Sequence, residues 1–244
     1  MRLIALPGVF RPLSDTRLLA ECLRGELRPG AHVADICTGT GLLAVTAAVH
    51  GAGAVSATDS SRRALLNARL NARLNGVRLR ALRGDLLEPL GGSSFDLIVS
   101  NPPYVPAETD ALPSRGAARA WDAGRDGRRL IDRLCDEAPR RLRPGGALLI
   151  VQSSVCGEAS TCERLESRGL HADVPARRRG ALGPILAGRA QILEARGVLA
   201  PGEREEEILV VRARLPSAGG GYSALSAHPQ GGSHGRSHRG SVRS

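Results

Sequence analysis

Four short runs in the first half of the chain, three apolar and one alternating with arginine, each carry a polar side chain at or just beyond the carboxyl end. Val33-Ala34-Asp35-Ile36 leads into Cys37-Thr38-Gly39-Thr40-Gly41, and Ala54-Val55-Ser56-Ala57-Thr58 stops at Asp59. Leu79-Arg80-Ala81-Leu82-Arg83 precedes Asp85-Leu86, and Phe95-Asp96-Leu97-Ile98-Val99 precedes Asn101. Apolar runs this short, bounded by turn residues, read as buried strands. Strands that alternate with helices build a mostly parallel sheet covered on both faces, because a parallel neighbour is reached only by a crossover. In such sheets ligands gather outside the carboxyl ends of the strands. One aspartate at such a place is most simply a helix N-cap. Four polar side chains in succession describe a sheet edge built as a site.

The first turn narrows the ligand. Gly39 and Gly41 carry no Cβ, so a ligand can lie against the backbone. Residues 41–50 read as a helix, and strand, Gly-rich turn and helix open the nucleotide-binding α/β folds. Asp59, at the tip of the second strand, suits both hydroxyls of a ribose. The fourth strand ends abruptly at Asn101-Pro102-Pro103-Tyr104. Neither proline donates a backbone hydrogen bond, each ring fixes φ, and Pro102 drives Asn101 into an extended conformation. This stiff tetrapeptide presents an amide, the carbonyl of Pro102 and an aromatic ring. Those groups suit a planar NH2 group, with two acceptors for its hydrogens and a ring for its π-face. A nicotinamide-dependent oxidoreductase shares the sheet and the second-strand acid but leaves this tetrapeptide unexplained.

The series Asp35-Ile36-Cys37-Thr38-Gly39-Thr40-Gly41, Asp59, Asp85 and Asn101-Pro102-Pro103-Tyr104 resembles the motifs of class I methyltransferases that use S-adenosylmethionine. It is most similar to the HemK type, the glutamine methyltransferases of translation release factors. Residues 9–19, with Pro12, Asp15, Thr16, Leu18 and Leu19, resemble the N-terminal run of the eukaryotic and archaeal branch. Trp121-Asp122-Ala123-Gly124-Arg125-Asp126-Gly127-Arg128 resembles a later segment of that branch. The likeness spans about residues 5–215 and leaves no room for the N-terminal helical domain of the bacterial enzymes. It implies a seven-stranded, Rossmann-like sheet whose last strand is antiparallel. It places S-adenosylmethionine at Thr16, Asp35, Thr38, Gly39, Gly41, Asp59, Asp85, Leu86 and Asn101, with Asp15 and Thr16 closing the methionine end. It makes Asn101, Pro102, Pro103 and Tyr104 the catalytic residues. The favoured acceptor is a glutamine amide on a release-factor-like protein. An exocyclic adenine amine of DNA or RNA, or a small molecule, is the alternative. Eukaryotic members of the family use a zinc-binding activator subunit; whether this chain does is open. Two residues depart from the pattern: Cys37 and Ala123 stand where glycine is usual.

Composition sets outer bounds. The 244 residues carry a formal charge of +10, set by arginine alone, with no lysine. GC-rich codons produce that bias, so basicity by itself does not argue for nucleic acid. Cys22, Cys37, Cys135, Cys156 and Cys162 form no CxxC pair, which disfavours a disulfide framework and structural zinc and suits a reducing cytoplasm. No metal site is expected. No run approaches the length of a membrane span, so no membrane partner is expected.

Other expectations concern organisation. Asp15 is placed to cap a first helix. Residues 126–142 read as a helix, Pro144-Gly145-Gly146 as a turn into a strand over 147–151, and 170–175 as an edge strand. Arg177-Arg178-Arg179 reads as a solvated loop, 185–196 as a helix and 207–211 as the last strand. Residues 1–216 form the methyltransferase domain. Residues 217–244, rich in Gly, Ser, His and Arg, cannot bury enough surface to offset ordering and read as a disordered tail.

Overall fold

The computed structural model describes residues 1–114 and 116–217. Beyond Ser217, the expected tail lies outside the described residues. Seven strands form one sheet: β1 (His32–Ile36), β2 (Ala54–Asp59), β3 (Arg80–Arg83), β4 (Phe95–Ser100), β5 (Leu142–Ser153), β6 (His171–Ala181) and β7 (Glu205–Arg214). Their order is β3-β2-β1-β4-β5-β7-β6. The first five strands pair in parallel, and β7 runs antiparallel between β5 and β6. The expected doubly wound, mostly parallel α/β sheet is therefore present. The order reverses between β1 and β4, the topological switch point at which such sheets open a crevice.

Alternation along the strands builds two cores. Val33, Leu97, Val99, Leu149 and Val151 face α1 (Ser14–Glu26) and α2 (Leu42–Val49). Ala34, Ile36, Ile98, Leu148 and Ile150 face α4 (Arg129–Glu137) and α5 (Glu158–Glu166), with α3 (Arg62–Leu74) preceding them in the chain. Full burial of Leu19 and Leu23 fastens α1 to the sheet, at about 1.5–3 kcal/mol for each side chain. Two short helices, α6 (Pro184–Gly188) and α7 (Ala190–Ala195), form a third cluster with Val105 and Leu199. Among the described residues no helix is long and apolar enough to cross a membrane.

Several elements differ from expectation. The cap position of α1 is Leu13, without a side-chain cap, and Asp15 is buried in the first turn, where it serves the site. Helix α4 ends at Glu137, because Pro139 cannot continue it and a 3-10 turn over Ala138–Arg141 follows. Pro144-Gly145-Gly146 lies inside β5, at a bulge where Phe95 pairs with Leu142 and Leu97 with Ala147. The three consecutive arginines lie in β6, where Arg177 pairs with Glu158 and Glu207, and Arg179 with Glu205.

One device escaped sequence reading. Asn67, Asn71 and Asn75 repeat every fourth residue from α3 into its cap, so they share a face. Their Oδ1 atoms accept the backbone N–H groups of Leu6, Ile4 and Arg2 at 2.7, 2.9 and 2.8 Å. Their amide groups donate to the carbonyls of Ile4 and Arg2. The amino-terminal segment is thus zipped onto α3, and residues 8–12 emerge beside the carboxyl ends of β1 and β2.

Candidate active site

The polar strand ends converge on a cleft of about 430 Å3. Thr16, Thr38, Gly39, Asp59, Asp85, Leu86 and Asn101 all line it. Gly39 has φ +53°, and a Cβ there would meet nothing within 4 Å, so its bare face is open. Asp59 braces this turn: Oδ2 accepts the Gly39 N–H at 3.0 Å and Oδ1 the Ser61 N–H at 2.8 Å. Burial raises the Asp59 carboxyl pKa, while those two donors oppose the rise. Asp85 faces the cleft and is paired with Arg133 at 2.8 Å. Leu86 turns back with φ +41°, and its carbonyl accepts Thr58 Oγ1 at 2.8 Å.

Gly41 and Asp35 do not line the cleft. A Cβ on Gly41 would lie 2.8 Å from Ala68, so this glycine permits close packing of the turn on α3. Asp35 sits beneath the turn, with Oδ2 accepting Thr38 Oγ1 at 2.6 Å and the Ala44 N–H at 3.0 Å. It therefore ties the turn to the first turn of α2. Cys37 has φ +59°, a left-handed conformation that costs a residue with a side chain about 1–2 kcal/mol, which accounts for glycine being usual there. Burial, then the nearby Asp59, pushes its thiol pKa up, so Cys37 fills space as a neutral thiol. Ala123 is fully buried and its N–H donates to the Val105 carbonyl, so its methyl is accommodated.

Burial pushes the Asp35 carboxyl up to about 7, against the bonds from Thr38 and Ala44. An unfolded aspartate titrates near 3.9. Between those values the folded chain holds a proton that the unfolded chain has lost. The contribution of this group is therefore full below about 4, falls as pH rises, and levels off above about 7, by at most ~1.4 kcal/mol per unit. Asp35→Asn keeps the shape and removes the titration. Melting temperature measured from pH 5 to 8 is expected to show a shallower decline in the variant, and an equal decline would contradict this account.

Asn101 stands where the cleft meets a second cavity of about 380 Å3. Its Nδ2 donates to Asp15 Oδ2 at 3.0 Å and to Thr16 Oγ1 at 2.9 Å. A carboxylate only accepts, so Asp15 fixes which end of the amide it meets. Both amide hydrogens are then committed, and Oδ1 is the atom left to accept. Asp15 Oδ2 also receives Tyr104 Oη at 3.1 Å. Burial, then Asp15, raises the Tyr104 pKa well above its ordinary value, so the phenol keeps its proton and remains a donor. One buried carboxylate thus positions both polar ends of the tetrapeptide. Sequence reading placed Asp15 as a helix cap and, by resemblance, at the methionine end, but not with these partners, which lie 86 and 89 residues away.

Pro102 and Tyr104 face only the second cavity, whereas Pro103 lines both. Leu13, Trp121, Ile185, Leu186 and Ile208 make that cavity largely apolar. The segment after Tyr104 folds back, with the Val105 N–H donating to the Trp121 carbonyl at 2.7 Å. Arg189 secures it through Asp122 Oδ1 and the Pro106 carbonyl, each at 2.7 Å, and Arg196 through the Ala107 carbonyl at 2.7 Å. Among the described residues no group of three or more His, Cys, Asp or Glu side chains is placed to hold a metal ion.

Known proteins resemble this chain in sequence and in fold. A family profile described as methyltransferase small domain matches residues 1–114. A Methanocaldococcus jannaschii protein, provisionally named a protein N5-glutamine methyltransferase, is 36% identical over 171 residues, covering 70% of this chain and 85% of that one. The release factor glutamine methyltransferase of Bordetella pertussis is 42% identical over 153 residues, 58% of this chain. The chain spans 56% of that enzyme's length. The fold resembles the solved E. cuniculi Mtq2–Trm112 complex, responsible for methylation of the eRF1 translation termination factor, with TM-score 0.58, 24% identity and coverage of 85% and 99% of the two chains. By its likeness to the archaeal protein along most of that protein's length, the chain belongs to the S-adenosylmethionine-dependent glutamine methyltransferases of the HemK type.

Proposed function

We propose that this chain methylates the side-chain amide nitrogen of a glutamine in a protein, with a release-factor-like protein as the favoured acceptor. The observation that carries the proposal is Asn101, held by Asp15 and Thr16 so that its remaining acceptor sits between two cavities. The cleft over Gly39 suits the cofactor, because its bare face is open and the Asp59 carboxylate lies beside it. Asp59 takes the ribose hydroxyls, Asp85 and Leu86 flank the adenine, and Thr16 and Thr38 flank the methionine end. Asp35 and Gly41 act from beneath, by holding the turn in shape. S-adenosylmethionine supplies, when bound, a methyl group already activated on sulfonium sulfur.

The chain's own task is to position the acceptor. An amide nitrogen is a poor nucleophile because its lone pair is delocalised into the carbonyl. Asn101 Oδ1 and the Pro102 carbonyl take its two N–H groups and favour a pyramidal nitrogen. Both contacts strengthen as the nitrogen becomes positive, so they stabilise the transition state more than the ground state, and the strongly acidic cation formed then loses one N–H proton to water without a dedicated base. Tyr104, pinned through Oη, offers its ring to the planar group. Pro103 separates the cavities and keeps the strand end stiff. Alignment of this kind can supply roughly 7–11 kcal/mol of the barrier.

The similar solved protein is in complex with Trm112. Activity of the purified chain alone, compared with activity in extract, tests for an equivalent activator. Its five free thiols support placing the chain in the cytoplasm. The test of function is incubation of a cell extract with methyl-labelled cofactor. The expected label resists nuclease and is released by protease. Label released by nuclease would assign the enzyme to an exocyclic amine of DNA or RNA.

A further inference from the structure

Besides Asp15, three charged residues line the second cavity, Arg178, Arg179 and Glu206; Arg179 is already paired with Glu205, and the other two take no part in the chemistry above. In the β6–β7 pairing, Gly180 lies opposite Glu206 and Arg178 opposite Ile208. Directly paired residues share a face of the sheet. Arg178, Gly180, Glu206 and Ile208 therefore occupy one face, and all four line the cavity that holds Pro102 and Tyr104. The alternate positions carry Arg177, Arg179, Glu205 and Glu207, whose charges are consumed in ion pairs.

Glu206 is only 8% exposed. Its Oε1 accepts the Gly183 N–H at 2.7 Å. Its Oε2 is buried and has no partner among the described residues. The Arg178 guanidinium likewise has no hydrogen bond or ion pair among the described residues, unlike that of the arginine on either side of it. Gly180 leaves the flank of Glu206 uncrowded, since a Cβ there would meet nothing within 4 Å.

A buried carboxylate oxygen demands a donor. A free cation would satisfy Glu206 but be opposed by Arg178. A peptide backbone is neutral and offers an N–H to one and a carbonyl to the other. The two side chains lie diagonally across neighbouring strands, with roughly 7–8 Å between their origins, about the span of two residues of extended chain. We propose that Glu206 and Arg178 read the main chain of the acceptor loop: Glu206 Oε2 accepts a backbone N–H next to the methylated glutamine, and Arg178 donates to a carbonyl about two residues away. This rests on the acceptor being a protein. It gives the enzyme a grip on the loop that does not depend on flanking side chains.

The test uses the full chain, methyl-labelled S-adenosylmethionine and the protease-sensitive acceptor fraction of a cell extract, assayed at serial dilution. Glu206→Gln keeps the volume and can keep the Gly183 bond, but puts a donor where Oε2 accepts. It is expected to raise the half-saturating acceptor concentration about tenfold, with the limiting rate and cofactor affinity held. Gly180→Leu fills the flank and is expected to shift the same quantity. A structural role alone would change melting temperature and leave half-saturation at the wild-type value. Wild-type half-saturation in both variants would overturn the proposal. Failure of the wild-type chain to label any protein would instead remove the protein-acceptor reading, and this inference with it.

Discussion

Asn101→Ala is expected to lower turnover about a hundredfold, equivalent to about 2.7 kcal/mol in the barrier. The affinity for S-adenosylmethionine should stay within a few fold of wild type, because the cleft keeps Gly39 and Asp59. The loss follows from geometry. Asn101 commits both amide hydrogens to Asp15 and Thr16 and is left with one acceptor at the junction of the two cavities. Alanine removes that acceptor and also frees Asp15, which still holds Tyr104. Calorimetry separates binding from single-turnover chemistry. Full turnover in Asn101→Ala would mean that another group grips the acceptor.

Asp59→Ala is expected to weaken S-adenosylmethionine at least tenfold. A hydrogen bond to a charged group contributes about 1.5–3 kcal/mol, and the ribose offers two. The substitution also strips the Gly39 and Ser61 N–H groups of their acceptor, so the turn itself loosens. Asp59→Asn separates these effects, since it keeps an acceptor for one backbone donor and loses the charge. Its affinity should fall between those of alanine and wild type. Unchanged cofactor affinity in Asp59→Ala would place the ribose elsewhere, and tighter binding of NAD than of S-adenosylmethionine would contradict the cofactor assignment.

The sheet was readable because each of its first four strands is short and stopped by a polar residue or proline, and three of the four are apolar while β3 alternates with arginine. Asp59, Asp85 and Asn101 could be placed at one edge for the same reason, since register brings successive parallel strand ends together. Side-chain partners far apart in sequence were not readable. Asp15 looked like a local cap and, by resemblance, a closure of the methionine end, but its hold on Asn101 and Tyr104 had no local signal. The asparagine spacing at 67, 71 and 75 is a visible signal, but its partner is backbone, which has no signature in sequence. The arginines of β6 looked like a loop because charges occur on both faces. Three consecutive glutamates on β7 explain this: two sit on the ion-paired face, and Glu206 faces the second cavity. Gly41 reads like Gly39 as a letter, and only packing against Ala68 distinguishes them.

Mass spectrometry of the labelled acceptor tests the central claim most directly. Peptides from cellular protein treated with wild-type chain should carry one added methyl on a glutamine side-chain nitrogen. The same peptides treated with Asn101→Ala should be almost unmodified. A methyl on any other residue, or methyladenine in nucleic acid with no modified protein, would contradict the account.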